Sequence, residues 1–390
     1  MEDYSVTEDL DPFASPPRAS AFQDTPEDWL RLHATELAPH RLNSLLEIYG
    51  GSPAAFFAET AAAWRERLPL LGEKRLAKLA AARTLDFSKT LAEMSRHRVH
   101  LVTPQDASYP TNLRPLIDAP PVLFVRGILV PEDKFSMAIV GSRRATSYGL
   151  GLARQFAFEM AKHGLAIVSG GARGVDTEAH KGALAGGGRT VAFLGCGVDV
   201  AYPSSNRALF DEIADGGGGA VVSEFGMGTR PEPWHFPARN RLISGTSLGV
   251  LVIESPADSG SLITAREAGD QGRDVFAIPG PIGMGHNSGC HKLIQDGAKL
   301  VECVDDILSE LGVLTMQSPE GSVGKTPAPV LNLPPEQRRI LDMLTLHPRQ
   351  VEGMIHESGL SAPQVAGILT LLEMRGLARR VPGNAFVRVL

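Results

Sequence analysis

The sequence lacks the marks of several common protein classes. Its three cysteines, Cys196, Cys290 and Cys303, form no CxxC pair. A disulfide framework is therefore not expected, and a zinc site has too few partners. No apolar run reaches the roughly 18 residues of a membrane span. The acidic start, MEDYSVTEDLDP, has no apolar core of a secretory signal, so the cytoplasm is the expected location. Basic charge is not in excess. Lys and Arg number 38 against 44 Asp and Glu, a net charge of −6. That excludes a uniformly basic binder of the histone kind but leaves room for a local basic groove. What remains is ordinary for a globular chain: 390 residues, 43% hydrophobic and 21% charged, enough for two or three domains.

Familiar enzyme motifs are missing or out of context. Gly245-Thr246-Ser247-Leu248-Gly249 fits G-x-S-x-G, but a nucleophile elbow needs a strand before the serine and a helix after it, and here the order is reversed. Gly324-Lys325-Thr326 resembles the end of a phosphate-binding loop, yet position 319 is proline where glycine is required. No G-x-G-x-x-G follows the first strand of the sheet, which argues against a dinucleotide. The chain offers no convincing nucleophile or metal cluster, and no cofactor is expected.

What is present centres on residues 136–182. This stretch reads as strand, glycine turn, helix, strand, glycine turn, helix. Apolar runs at 137–140 and 165–168 break at Gly141-Ser142-Arg143 and at Ser169-Gly170-Gly171-Ala172-Arg173-Gly174. Short apolar strands alternating with helices of this length imply parallel βαβ units. Both turns then lie at helix N-termini, where backbone N–H groups collect anions. Each turn carries one arginine, whose fork can grip two phosphate oxygens.

The alternation continues. Strand-like runs at 190–194, 220–223, 248–253, 275–278 and 299–301 are separated by helical stretches at 207–214, 239–244, 261–272 and 290–296. This predicts an α/β fold, a doubly wound parallel sheet of six or seven strands, with residues 99–127 as its lead-in and edge. An acidic, proline-containing tail (1–24) is expected to be disordered. A helical unit rich in Leu and Ala (25–95) precedes the sheet domain (96–314). Within that unit, residues 70–76 resemble a degenerate helix-hairpin-helix turn, though a small packing domain is the preferred reading. Residues 315–332 read as a Pro/Gly/Ser linker. Residues 333–390 read as three helices and a hairpin, a winged helix.

Polar residues recur at the strand ends: Pro203-Ser204-Ser205-Asn206, Ser223-Glu224, Glu254 through Ser259-Gly260-Ser261, and Pro279-Gly280. In an open parallel sheet these ends share one crevice, so an anionic ligand is expected there. His235-Phe236-Pro237-Ala238-Arg239-Asn240-Arg241 sets an aromatic among cations, a combination suited to single-stranded nucleic acid. The alternative is that Phe236 packs in the core and one arginine pairs with Glu224 or Glu254. Asp176 and His180 share a helix face; fixing the turn is the preferred role for Asp176 over acid/base work.

These segments together resemble the DNA-processing protein A family, the DprA/Smf proteins of natural transformation. The resemblance is carried by AIVGSRRATSYG, SGGARGVDTEAH, YPSSN, SEFG, FPARNRLISG, SGSLITA, VFAIPG and GCHKLIQDGA in order, preceded by DASYPTNLRPLIDAPPVLFVRG. It spans about residues 25–390. It implies a SAM-like helical domain, an extended Rossmann-like domain and a winged helix. It also implies a non-enzymatic protein that binds and protects single-stranded DNA, loads a RecA-type recombinase, and forms a homodimer through the Rossmann-like domain. By position it implies that Arg143 and Arg173 hold DNA phosphates and that Arg239 and Asn240 line the same pocket. With the strand-end residues, the candidate DNA-contacting positions are Gly141, Ser142, Arg143, Ser169, Gly170, Arg173, Gly174, Asn206, Phe236, Arg239, Asn240, Arg241, Ser259, Gly260 and Ser261. Two departures stand out: Gly171 where the family more often has Leu, and His291 where it commonly has Asn.

Two other readings compete. One is a nucleotide-binding enzyme of the Rossmann-like nucleotide hydrolase type, with Glu254 or Glu224 as acid. The other is a duplex-DNA regulator acting through the winged helix. The candidate recognition helix at 362–374 carries no Lys or Arg, which disfavours base readout.

Overall fold

The computed structural model describes residues 22–68, 71–311, 333–345, 348–375, 377–381 and 383–388. The expected linker at 315–332 and most of the expected tail lie outside the described residues.

Six helices open the described chain: α1 (Pro26–Ala34), α2 (Pro39–Ile48), α3 (Pro53–Ala58), α4 (Ala61–Arg67), α5 (Glu73–Arg83) and α6 (Ser88–Arg96). Their starts follow local chemistry. Thr25 caps α1 through a capping box with Asp28, with Pro26 in the first turn. Residues 22–24 are fastened to this helical unit. Phe22 packs on the helical core, and Asp24 accepts hydrogen bonds from Ser52 Oγ (2.6 Å), Ala54 N (3.0 Å) and Gln105 Nε2 (2.9 Å). One apolar and one capping side chain are enough to fasten these residues.

A nine-stranded sheet follows, with β1 (Val99–Val102), β2 (Leu123–Gly127), β3 (Ser136–Val140), β4 (Ala166–Ser169), β5 (Thr190–Phe193), β6 (Gly219–Ser223), β7 (Gly249–Val252), β8 (Asp274–Ala277) and β9 (Lys299–Leu300). Its order is β1-β2-β6-β5-β4-β3-β7-β8-β9. The last seven strands in that order are parallel, as expected, and β1 and β2 add an antiparallel edge. Helices α7 (Ser147–Lys162), α8 (Val175–Ala185), α9 (Arg207–Asp215), α10 (His235–Thr246), α11 (Ser261–Asp270), α12 (Ser288–Gln295) and α13 (Val304–Glu310) cover both faces.

Alternate residues of each strand enter different cores. Ala138, Val140, Val191, Phe193, Val250 and Val252 pack with α10 and α11 on one face. On the other, Met137, Ile139 and Ile167 pack with α7, α8 and α13. Phe124, Ala192 and Val221 also point to that second face, but they join α9 and the N-terminal helices. The helical unit therefore shares its core with the sheet instead of closing on itself.

The C-terminal unit contains α14 (Pro335–Met343), α15 (Val351–Ser358) and α16 (Ala362–Met374), with β10 (Arg349–Gln350), β11 (Ala378–Val381) and β12 (Ala385–Arg388). Strand β10 pairs with β12 and completes a three-stranded wing that the sequence reading gave as a two-stranded hairpin. Two residues are too short to show a period. This unit has its own apolar core around Ile340, Met354, Leu369 and Leu372.

Among the described residues no helix is long and apolar enough to cross a membrane.

Candidate functional site

The parallel strands leave β3 toward β4, β5 and β6, then return beside β3 as β7. The β3 and β7 loops therefore part on opposite sides of the sheet, and a crevice opens between them at the carboxyl ends. A cavity of about 710 Å³ lies there. Gly141, Ser142, Arg143 and Arg144 line it from the β3 loop, and Ser259, Gly260 and Ser261 from the β7 loop. Phe236 and Asn240 enter from α10, and Asp176 from α8. A second cleft of about 330 Å³ adjoins it, lined by Gly170, Arg173 and Ser204. The two share Arg143, Arg144, Ala172, Tyr202 and Phe236 and so form one trough. Arg143, Arg144 and Arg173 are all exposed along it.

The turns are held tightly. Ser142 N donates to the Glu254 carbonyl (2.7 Å), tying the β3 loop to the end of β7. The Glu254 carboxylate accepts from Thr146 N (3.0 Å) and Thr146 Oγ1 (2.6 Å), and Thr146 in turn caps α7. Gly174 has φ +81, a conformation open chiefly to glycine. A Cβ there would lie 2.3 Å from the Ser142 carbonyl oxygen, so the two turns meet backbone to backbone. Ser255, Ser259 and Ser261 form a hydroxyl chain, with Oγ···Oγ distances of 2.9 and 2.7 Å around Ser261, at the start of α11. Arg143 rests on Phe236, its Cζ 5.2 Å from the ring centroid, and Tyr202 packs against the same ring at 5.5 Å.

Five expected contact residues do not line the trough. Arg239 is 3% exposed and lies beneath it. Its Nη1 donates to the carbonyls of Gly170 (2.7 Å) and Phe193. It faces Asp176 across Gly170, where a Cβ would sit 2.7 Å from each side chain. Burial opposes both charges, bringing the Arg239 guanidinium down to about 10 and pushing the Asp176 carboxyl above its ordinary value. Arg241 points away, paired with Glu224 and with Asp118 (3.3 Å). One arginine thus takes the pairing left open by the sequence. Asn206 is buried, its Nδ2 donating to the Gly171 carbonyl (3.0 Å) and Thr177 Oγ1 (2.8 Å), so it supports the second turn from behind. Ser169 is fully buried, and its Oγ donates to the Ile139 carbonyl (2.6 Å). Gly174 lies against Ser142 as described.

The structure also supplies residues the sequence reading did not select. Arg144 is the second half of an Arg-Arg doublet, and Tyr202 opens the YPSSN segment; both were visible as motif neighbours. Asp176 Oδ2 accepts from Gly170 N and Ala172 N (both 3.2 Å), fixing the turn. The His180 side chain turns elsewhere. Its Nδ1 donates to Thr190 Oγ1 (2.7 Å), whose proton goes to the Ile167 carbonyl (2.7 Å). Of the two departures, Gly171 has φ +64 and a Cβ there would meet Phe210 at 2.8 Å. His291 Nε2 contacts the Gly280 carbonyl at 2.9 Å and so braces the loop after β8.

Residues 100–312 match the family model described as DNA recombination-mediator protein A, and residues 324–384 match the DprA winged helix domain. The Escherichia coli protein Smf is 36% identical, over 90% of this chain and 94% of that protein. The structure of DNA processing protein A from Streptococcus pneumoniae matches with a TM-score of 0.63 and 36% identity, over 74% of this chain and 99% of that one. That of the Helicobacter pylori protein, described for its unique single-stranded DNA binding mode, matches with a TM-score of 0.51 and 30% identity, over 57% and 99%. Carrying this family's sheet domain and its winged helix, the chain belongs to the DNA recombination-mediator protein A family, DprA/Smf.

Proposed function

We propose that this chain binds single-stranded DNA along the switch-point trough, protects it, and loads a RecA-type recombinase onto it during natural transformation in the cytoplasm. The observation that carries the reading is the trough itself. Three exposed arginines stand over glycine turns, with Phe236 and Asn240 on the facing helix and a hydroxyl-lined loop opposite. Guanidinium groups suit phosphates whatever the base sequence, which fits a sequence-tolerant binder. The described binding mode of the Helicobacter pylori relative supports it.

In this proposal Arg143 and Arg173 grip successive phosphates, Asn240 and Ser259–Ser261 complete the walls, and Arg239 and Asn206 support the floor. Residues 25–95, 96–314 and 333–390 act as helical, DNA-binding and winged-helix units, and the sheet-bearing unit forms the homodimer. No catalysis is assigned. Glu224 and Glu254, the candidate acids of a nucleotide hydrolase, are occupied by Arg241 and Thr146 and lie outside the trough lining.

The test is single-strand binding at several salt concentrations with Arg143→Ala, Arg173→Ala and the double variant. Each single change should weaken binding and lower the salt slope by about one; the double variant should lower it by about two. A double variant that folds and binds like the parent would sink the assignment.

A further inference from the structure

The chain has three tryptophans. Trp29 and Trp64 are core residues of the helical unit, 5% and 0% exposed, whereas Trp234 is 65% exposed at the start of α10. The indole is braced. It meets the His235 ring edge-on at 3.9 Å and the Phe225 ring at 6.3 Å. His235 is itself anchored, packed on Phe225 at 4.0 Å and bonded through Nδ1 to the Gly195 carbonyl at 3.1 Å. Its neighbour Pro233, and Phe236 two residues on, line the trough. Trp234 therefore stands at the start of α10 between two lining residues, at the rim of the trough.

Of the trough's other aromatics, Tyr202 is 44% exposed and lines both clefts, whereas Phe236 is covered. The Phe236 ring is taken by the Arg143 guanidinium and by Tyr202. The largest exposed ring is Trp234, next in sequence to the lining residue Pro233, and Arg143, Arg144 and Arg173 are exposed along the same trough. An indole among guanidinium groups matches a polymer that carries one anionic phosphate and one flat base per unit. We propose that Trp234 is a base-stacking platform for the nucleotide that leaves the trough over the start of α10. The proposal rests on the single-strand reading above and adds a subsite to it.

The experiment titrates the full-length protein with oligothymidylates of increasing length, following tryptophan emission and the anisotropy of labelled DNA. Emission should fall on binding. That quench should vanish in Trp234→Phe while anisotropy still reports binding within about threefold of the parent. Trp234→Ala should weaken binding of long oligomers about tenfold with an unchanged salt slope, because stacking releases no counterions. Oligomers short enough to lie within the trough should show no penalty. A quench that persists in Trp234→Phe, or full affinity of Trp234→Ala for long oligomers, overturns the proposal. So does a change of oligomeric state in Trp234→Ala with unaltered DNA affinity, which would assign the indole to a second copy of the chain. If Arg143→Ala with Arg173→Ala leaves binding intact, the single-strand reading fails. If those changes weaken binding and Trp234→Ala does not, only the platform falls.

Discussion

Arginines that look alike in the sequence have separate jobs at the level of single residues. Arg143 and Arg173 are exposed over the trough, Arg239 supports its floor, and Arg241 is spent on Glu224 and Asp118. The sequence could place all four near the strand ends but could not give the rotation of α10, which decides which of its side chains face out. Removing Arg239 would leave Asp176 as an uncompensated buried charge, a change that typically costs about 3–5 kcal/mol. Its loss should therefore appear in stability before affinity. His180 is the sharper test of the buried layer. Burial, helped by nearby Arg239, lowers its pKa to about 3 from the ordinary 6.5. The folded state thus resists a proton that the unfolded chain accepts. The stability this preserves is fully present above pH 6.5 and is lost toward pH 3, by roughly 1.4 kcal/mol per pH unit. Urea midpoints of His180→Gln should fall less steeply between pH 7 and pH 5 than those of the parent; parallel curves would refute the assignment.

Elements were the most legible level. Strands covered on both faces appear as unbroken apolar runs, so the expected spans at 137–140, 165–168 and 220–223 meet β3, β4 and β6 within a residue at either end. Helix α10 begins at His235, earlier than the expected 239. Pro237 does not delay the start, because in a first turn its missing N–H has no helical partner to lose. What no pattern revealed is how the turns abut. Gly174→Ala combines a disfavoured φ with a 2.3 Å approach to the Ser142 oxygen and should cost about 2–5 kcal/mol. It should also weaken DNA binding at temperatures where the protein stays folded. Gly187 is the control: it has φ +72 with nothing within 4 Å of its would-be Cβ, so Gly187→Ala should cost about 1–2 kcal/mol and leave binding alone. Equal effects in thermal melts and binding curves would remove the special role of Gly174.

At the scale of the molecule, the helical unit and the sheet are one body. They share a core through Phe124, Ala192 and Val221, and His33 Nε2 reaches the Glu224 carbonyl at 3.0 Å. The sequence showed a helical segment before the sheet. It could not show that the segment completes the covering of one sheet face, because that contact joins residues as far as 191 positions apart. The winged helix has a separate core, and the exposed face of α16 offers Pro363, Ala366, Gly367 and Thr370, with no cation among them. A chain ending after Leu311 should keep single-strand affinity within about threefold, while one starting at the winged helix should bind neither single-stranded nor duplex DNA tightly. Retention of duplex binding by the C-terminal unit alone would restore the regulator reading.

The contact of Gly174 with the Ser142 carbonyl has one more consequence. Arg143 and Arg173 ride on turns whose separation is set by main chain touching main chain, with no side chain between them to enlarge or trim. On the proposed reading, the two grips therefore start from main-chain positions a fixed distance apart. If the proposal holds, that spacing answers to the stride of a sugar-phosphate chain and not to its letters.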